Sequence, residues 1–335
     1  MEFAALVLAF LLSAILCFAL LKAAPSLDLL VHPGDHRLHA KPTPAVGGIA
    51  IFVTLLVSVK ITVPSEILFL LPSFCLVVVG VIDDRLHLHS LLRLLAQIVA
   101  AYLMIQITGI QLDQLGQLFS DEVIYLGSMS VPLTIFAAVG VINAINMSDG
   151  MDGLAGSMVI LTLIVLAALG STYTSLIYLI VASIAGFLVW NVRFRGRPAR
   201  IFMGDAGSTA LGLILAFLFI EITQGMSAPL LPVTALWLLL IPLMDAVCVL
   251  IVRPLMGQAP FSADHLHYHH ALTDAGLTVN QALLGIVAAQ LVFVALAVYF
   301  VEAQIPEALQ LSLFLLLFFA YFILTYRRAR RLFNR

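Results

Sequence analysis

Long apolar runs recur along this chain from one end to the other, and they limit its possible folds more than any other feature. Of the 335 residues, 62% are apolar and only 10% are charged, and the mean hydropathy is +1.13. A water-soluble core does not need this much apolar sequence, whereas a bilayer with a hydrocarbon layer about 30 Å thick selects apolar runs of about 20 residues. The sequence therefore predicts an all-α, polytopic membrane protein with the lipid bilayer as its solvent.

Charged residues, Pro and Gly bound the runs and set the predicted ends of eleven membrane helices. These helices are expected near residues 3–22, 45–63, 66–82, 90–109, 130–147, 154–170, 174–190, 207–223, 230–252, 281–301 and 305–326. No basic residue precedes the first run, and the run is longer than the apolar part of a secretory signal, so we interpret it as the first membrane helix. No internal repeat or linker is visible, and residues 1–335 are expected to form a single domain.

The positive charges sort to one side of the membrane if successive loops alternate between its two sides. Of the 16 Lys and Arg residues, only Lys60 falls on the other side. The rest share one side: Lys22, Arg37, Lys41, Arg85, Arg93, Arg193, Arg195, Arg197, Arg200, Arg253, Arg327, Arg328, Arg330, Arg331 and Arg335. Because Lys and Arg accumulate in cytoplasmic loops, the N terminus is predicted to be periplasmic and the C terminus cytoplasmic. The net charge is only −2, which leaves no global basic field for nucleic acid.

The same alternation gathers the reactive side chains at the cytoplasmic face. All 9 histidines fall there. A set of carboxylates joins them: Asp83, Asp84, Asp149, Asp152, Asp205 and Asp264. We therefore expect the chemistry at the cytoplasmic face.

Two adjacent carboxylates, Asp83 and Asp84, end the third predicted helix at the level of the lipid headgroups. A buried charge there is costly unless it is paired or bound to a metal. The pair suits a divalent cation or a general base. A solvated loop with Arg85 as counter-ion is the simpler alternative.

A run of polar residues at three-residue intervals comprises Asn143, Asn146, Asp149 and Asp152. On a helix this spacing places them on one face, and the intervening glycines let the backbone approach a phosphate closely. A helix cap formed by Asp149 or Asp152 is the alternative. A cap does not explain two asparagines earlier in an otherwise apolar helix.

The eighth predicted helix opens with Phe202-Met203-Gly204-Asp205-Ala206-Gly207-Ser208-Thr209, a composition that suits a phosphate or metal at a helix N terminus. Four arginines, at positions 193, 195, 197 and 200, come just before it. They indicate either a topology signal or a site for an anionic ligand.

The longest cytoplasmic loop contains Asp264-His265-Leu266-His267-Tyr268-His269-His270. Four histidines suit a zinc site, but the carboxylate-rich surroundings favour a hard cation and phosphates. Histidines beside a phosphate donate hydrogen bonds and can change charge near neutral pH. Together the motifs predict a magnesium-assisted phosphoryl-transfer site.

In this order the motifs resemble the polyprenyl-phosphate N-acetylhexosamine-1-phosphate transferases. The resemblance covers nearly the whole chain and rests on five segments: Lys41-Pro42-Thr43-Pro44 with Gly47-Gly48, Asp83-Asp84, residues 143–153, residues 202–208, and the histidine cluster. The bacterial members that make lipid-linked N-acetylglucosamine for O-antigen or common antigen are the most similar. The sibling that transfers phospho-MurNAc-pentapeptide usually has three consecutive histidines, whereas Tyr268 interrupts them here.

The resemblance implies UDP-N-acetylglucosamine and undecaprenyl phosphate as substrates, UMP as a product, and Mg²⁺, or Mn²⁺ in its place, as the cofactor. It places the protein in a bacterial inner membrane and allows a homodimer. It implies that Asp205 and Asn146 hold the metal and that Asp83, with Asp84 beside it, deprotonates or positions the lipid phosphate. Further implied catalytic residues are Asp149, Asp152, His267, His269 and His270. Further implied substrate-binding residues are Lys41, Asn143, Asn191, Arg200, Phe202 and Arg253, with Asn146 in both groups.

Two other classes of protein remain as alternatives. A cation-coupled transporter would also carry intramembrane acids, but near the midplane and often on inverted repeats; only Asp245 is a candidate for such depth. A non-catalytic lipid-binding scaffold would explain the basic tail but not the clustered acids and amides.

Overall fold

The computed structural model describes residues 3–31, 42–194, 196–225, 228–262 and 265–333. Five residues named above lie outside the described residues: Arg37, Lys41, Arg195, Asp264 and Arg335. The α-helices in the described part are α1 Phe3–Leu27, α2 Gly47–Thr62, α3 Leu71–Leu86, α4 Ser90–Thr108, α5 Ser130–Ser148, α6 Leu154–Ala168, α7 Thr174–Asn191, α8 Gly204–Thr223, α9 Pro232–Leu238, α10 Leu240–Leu255, α11 Tyr268–Asp274, α12 Val279–Glu302 and α13 Glu307–Phe333. Two 3₁₀ helices, Pro64–Leu70 and Gly127–Met129, and one antiparallel pair of short strands, β1 Leu30–Val31 and β2 Thr43–Pro44, complete the fold.

Many of these helices are long enough to span a membrane. In the described residues 8 helices are long and apolar enough to cross a bilayer, and the bent pair of α9 and α10 would make a ninth. Helices α2 and α6 are apolar but shorter, with 16 and 15 residues. The all-α, polytopic class is therefore confirmed, while the total of eleven spans and the orientation stay predictions.

Helix α8 lies at the centre of the bundle, and almost all of its residues are buried. Glycines let two neighbouring helices touch its backbone. A Cβ added at Gly48 of α2 would lie 2.2 Å from the Gly207 backbone nitrogen, and one added at Gly80 of α3 would lie 2.3 Å from the Ala206 nitrogen. Only a residue without a side chain permits such an approach. These contacts bring the ends of α2 and α3 against the first turn of α8.

The prediction of one continuous helix over residues 230–252 is wrong, because α9 and α10 meet at an angle of 90°. Pro242 has no N–H to bond the Leu238 carbonyl four residues earlier, and its ring would clash with that carbonyl in a regular helix. Leu238 O instead accepts hydrogen bonds from Gln290 Nε2 at 3.0 Å and from Thr162 Oγ1 at 3.0 Å. Gln290 Oε1 also accepts from Ile241 N at 3.1 Å, so one buried glutamine satisfies both sides of the break.

Side chains close the end of the bundle opposite the reactive groups. Gln224 Oε1 accepts from the backbone nitrogens of Asp113 and Gln114 at 2.9 and 3.1 Å, and Glu307 Oε1 accepts from Gln117 N at 2.8 Å. These polar groups hold the backbone in place at this end.

Candidate active site

An arginine joins the two carboxylates that the sequence assigned to different substrates. Arg93 Nη1 lies 3.1 Å from Asp83 Oδ2 and 3.4 Å from Asp205 Oδ2. Asp83 also accepts a hydrogen bond from Leu88 N at 2.6 Å, at the turn between α3 and α4. The end of α3, the first turn of α4 and the first turn of α8 therefore meet at one point.

Two asparagines of α5 face this meeting point. Asn146 Nδ2 donates to Asp205 Oδ1 at 2.7 Å and to Ser208 Oγ at 2.9 Å. One turn earlier, Asn143 Nδ2 donates to Gln97 Oε1 at 2.7 Å. The predicted metal ligands Asp205 and Asn146 are thus in direct contact.

Asp84 lies beside Asp83 in sequence but serves a different helix. Its Oδ1 accepts from the Asp205 backbone nitrogen at 3.2 Å, at the N terminus of α8, where unpaired N–H groups and the helix dipole favour a negative charge. Its Oδ2 is buried and has no hydrogen-bond partner among the described residues. Gly204, with φ of +74°, leaves room for that oxygen, because a Cβ there would lie 2.6 Å from it. The structure therefore keeps one carboxylate oxygen available at this helix end.

The expectation that residues 143, 146, 149 and 152 share one helical face is correct only for the two asparagines. Helix α5 ends at Ser148, Asp149 is its C-cap, and Gly153 has a positive φ of 79°. Burial raises the pKa of Asp149 well above its ordinary value, and the nearby carboxylates of Asp205 and Asp84 raise it further. Asp149 is therefore near the other acids despite the end of the helix.

Asp152 is bound by residues outside this group of acids. Its Oδ2 accepts from Arg193 Nε at 2.6 Å and from Ala199 N at 3.0 Å, so it holds the segment between α7 and α8. Asn191 does the same from the other side, accepting from Gly153 N at 2.8 Å and donating to Ile201 O at 2.9 Å. The roles that the resemblance implied for these two residues stay predictions.

Two other predicted substrate ligands, Arg200 and Phe202, lie in the same segment. The Arg200 guanidinium is exposed and lies 4.7 Å from the ring centre of Trp190. Phe202 pairs through its backbone with β2, because its nitrogen donates to Pro44 O at 2.7 Å and its carbonyl accepts from Gly47 N at 2.9 Å. Their predicted contacts with substrate stay predictions.

A chain of buried polar groups connects α10 with the histidine segment. Arg253 Nη1 donates to Pro260 O at 2.8 Å, and Arg253 Nη2 lies 3.3 Å from His267 Nε2. On the other side of the ring, His267 Nδ1 lies 2.6 Å from Asp245 Oδ2. Arg253 and His267 are thus held together, and their predicted roles stay predictions.

His269 and His270 lie at the start of α11, a short helix that the loop interpretation of this segment did not include. Burial lowers the pKa of His269 well below its ordinary value, and the neighbouring histidines lower it further. Burial lowers the pKa of His270 to about 4, again with a contribution from nearby histidines. Both rings are therefore neutral near pH 7, which restricts the predicted change of charge to more acidic conditions.

Two cavities meet at the carboxylates of Asp83 and Asp205. One, of about 180 Å³, reaches into the bundle and is lined by Asn143, Asn146, Arg253 and His267, among others. The second, of about 290 Å³, lies toward β1 and is lined by Asp84 and His87. Both are lined by three common residues: Asp83, Arg93 and Asp205.

The oxygen donors at this junction fit a hard divalent cation. Mg²⁺ commonly takes one or two carboxylates and completes its shell with water and substrate phosphates. The carboxylates of Asp205 and Asp83 and the unpaired oxygen of Asp84 are of this type. Among the described residues no group of 3 or more His, Cys, Asp or Glu side chains is placed to hold a metal ion. A Mg²⁺ ion bound by one or two carboxylates, water and substrate phosphates does not need such a group.

Arg93 and Gln97 were not predicted as functional residues, and the sequence indicated Arg93 only as a topology charge. Both lie on α4, one turn apart, and both line the inner cavity. The available signal was a polar pair with i, i+4 spacing at the start of an otherwise apolar helix.

Carboxylates, amide donors and guanidinium groups close together are what phosphoryl transfer needs, and their place at the ends of membrane helices makes this an integral-membrane transferase.

Comparisons with known proteins identify the family. The family described as glycosyl transferase family 4 matches residues 67–223. The chain is 36% identical over 321 residues to undecaprenyl-phosphate alpha-N-acetylglucosaminyl 1-phosphate transferase of Salmonella typhi, covering 93% of this chain and 88% of the relative. It is 34% identical over 321 residues to the enzyme of the same name from Escherichia coli strain K12, covering 93% and 88%. For the Yersinia pestis enzyme of that name the identity is 34% over 325 residues, covering 94% and 89%.

The chain belongs to glycosyl transferase family 4. The resemblance seen in the motifs is thereby confirmed.

Proposed function

We propose that the protein transfers N-acetylglucosamine 1-phosphate from UDP-N-acetylglucosamine to undecaprenyl phosphate and releases UMP. The names of the relatives, matched over most of their length, support these substrates. The observation that carries the proposal is the junction of two cavities at Asp83, Arg93 and Asp205, since a transfer between two phosphates needs two substrate compartments that share one reacting point.

In the proposed reaction an oxygen of the lipid phosphate attacks the phosphorus that bears the sugar. The bond from that phosphorus to UMP breaks, and UMP leaves with the electron pair. One phosphoanhydride replaces another. The second pKa of a phosphomonoester is near 6, so much of the acceptor is already dianionic at neutral pH. Positioning and charge neutralisation are therefore the main tasks of the protein.

The side chains at the junction divide these tasks. Asp83 faces both cavities and positions the lipid phosphate, while Asn146 fixes the orientation of Asp205 on the nucleotide side. Arg253 and His267 supply donors on the wall of the inner cavity. Mg²⁺ held by Asp205, with Asn146 beside it, would neutralise the charge of the nucleotide pyrophosphate.

The proposal places the site at the cytoplasmic face of a bacterial inner membrane. It rests on the positive-inside distribution of Lys and Arg. A cysteine introduced at Ser262 is expected to be shielded from an impermeant thiol reagent in intact cells, whereas one at Ser120 is expected to react. The reverse pattern would contradict this orientation.

UMP release by the purified protein, measured with undecaprenyl phosphate and a panel of UDP-sugars, tests the function. UDP-N-acetylglucosamine is expected to give the fastest release, and excess chelator is expected to stop it. Fast release only with UDP-MurNAc-pentapeptide would identify the sibling activity instead. Ion flux into vesicles without nucleotide would favour a transporter.

Two variants distinguish the role of Asp83 toward the lipid phosphate from the role of Asp205 toward the nucleotide. Asp83→Asn is expected to spare binding of UDP-N-acetylglucosamine while turnover falls, by about 10² to 10⁴ if a full general-base contribution is lost. Asp205→Asn is expected to weaken both, because a metal ligand acts on the ground state and the transition state alike. Calorimetry with Mg²⁺ beside UMP release measures the two effects. Loss of nucleotide binding in Asp83→Asn would contradict the assignment.

A further inference from the structure

Asp245 is a buried carboxylate inside a membrane helix, and no role in the proposed reaction has been given to it. It is 2% exposed and lies on α10. Its Oδ1 accepts from Tyr321 Oη of α13 at 2.5 Å and from Tyr268 N at 3.1 Å, and its Oδ2 contacts His267 Nδ1 at 2.6 Å. An uncompensated charge at this depth would be costly, so these three contacts require a reason.

The contacts on the two sides of the His267 ring determine which nitrogen carries the proton. Arginine has donors only, so the contact between Arg253 Nη2 and His267 Nε2 is a hydrogen bond only if Nε2 is unprotonated. The ring proton then lies on Nδ1, where the Asp245 carboxylate accepts it. A carboxylate behind a histidine is a common means of fixing a tautomer and a ring orientation.

Two neighbours depend on the orientation of this ring. Arg253 borders the inner cavity, and its Nη2 is hydrogen-bonded to the imidazole. The His269 ring is stacked on that of His267, with centroids 5.5 Å apart and an interplanar angle of 5°. A reoriented His267 would therefore disturb both.

We propose that Asp245 is a positioning residue that holds His267 as the Nδ1–H tautomer and thereby directs the Arg253 guanidinium toward the phosphates in the inner cavity. This inference rests on the proposed function for the identity of those phosphates. Asp245 does not itself border that cavity. Tyr321 of α13 donates to Asp245 Oδ1, the carboxylate oxygen that does not contact His267.

The first test reads the tautomer directly and does not depend on turnover. In protein labelled with ¹⁵N-histidine, the His267 signals are assigned by their loss in His267→Gln. In the wild type, Nδ1 is expected to be protonated and Nε2 unprotonated. In Asp245→Asn, whose amide can donate to Nδ1, the Nε2–H form is expected to appear. The same tautomer in both proteins would overturn the proposal.

The second test is a double-mutant cycle on UMP release. Asp245→Asn is expected to lower kcat/KM by about 10- to 100-fold, the range for outer partners of functional histidines. Combined with His267→Gln, it is expected to add almost nothing, because both changes remove the same link to Arg253. Additive losses would show that Asp245 acts by another route.

Tyr321→Phe separates positioning from simple helix packing, because it removes the contact with α13 and leaves the Asp245–His267 pair. It is expected to retain most of the activity and the wild-type tautomer. A loss as large as that of Asp245→Asn would identify Asp245 as a packing residue only. If Asp245→Asn does not fold, a cycle of His267→Gln with Arg253→Lys keeps the test open: non-additive losses support the link, and additive losses overturn it. A wild type that releases no UMP would refute the proposed function and leave the tautomer test intact.

Discussion

Replacing Gly80 by alanine is expected to move two active-site segments apart without changing any polar group. The added Cβ would lie 2.3 Å from Ala206 N and 2.4 Å from its Cα, whereas ordinary contact begins at 3.4 Å. Both opposing atoms are backbone atoms of α8, so no side-chain rotation relieves the clash. The end of α3 must therefore withdraw by about 1 Å.

This displacement is large for the site. The hydrogen bond from Asp205 N to Asp84 Oδ1 is already 3.2 Å long, and an extra 1 Å or so would break it. Asp83 would move away from Asp205 in the same direction. A misplacement of about 1 Å can reduce turnover about 10²-fold, and overpacking typically costs about 1 to 3 kcal/mol of stability.

UMP release and thermal unfolding in detergent measure the two effects, and Gly140→Ala is the matched control. Gly140 lies on the membrane helix α5, and a Cβ there would meet nothing within 4 Å. The control is expected to behave as the wild type. Wild-type turnover in Gly80→Ala, or equal losses in the two variants, would refute the reasoning.

Three further predictions concern other groups. Arg93→Met is expected to lower turnover more than Arg93→Lys, because methionine leaves the acids beside it without a positive charge; equal rates of UMP release would contradict this. Gln290→Leu is expected to destabilise the protein by about 1 to 3 kcal/mol in unfolding experiments, because a buried N–H at the helix break loses its partner, whereas Leu291→Ala on the exposed side of α12 should change little. The lowered pKa of His270, about 4, means that the unfolded chain takes up a proton first as the pH falls from about 6.5. The free energy of unfolding should therefore fall as the pH is lowered from about 6.5 to about 4, and it should fall less in His270→Gln. The same change of melting temperature with pH in both proteins would contradict this.

The sequence predicted the helices well, because a lipid solvent makes each span a long apolar run. It did not predict the right angle between α9 and α10. The cause, Pro242, is visible in the sequence, but a proline in a membrane helix breaks it only where other side chains satisfy the freed backbone. Those side chains, Gln290 and Thr162, are distant in sequence.

The acids and amides of the site were also recognisable, because polar residues in apolar helices are uncommon and costly. The different partners of these residues were not recognisable from the sequence. Asp152 and Asp149 look equivalent in sequence, yet one bonds Arg193 while the other lies near Asp205. That difference depends on where α5 ends and on which strand or loop passes nearby, and neither follows from residue spacing.

The hydrogen bond between Tyr321 and Asp245 has a consequence for the synthesis and membrane insertion of the protein. A ribosome releases the helices in order, so Asp83, Asn146 and Asp205 are all made long before α13 emerges. Tyr321 lies on α13, and only the arrival of this helix completes the partners of the carboxylate behind His267. The chain would therefore carry Asp83, Asn146 and Asp205 before it acquires the finished arrangement, which needs the insertion of α13.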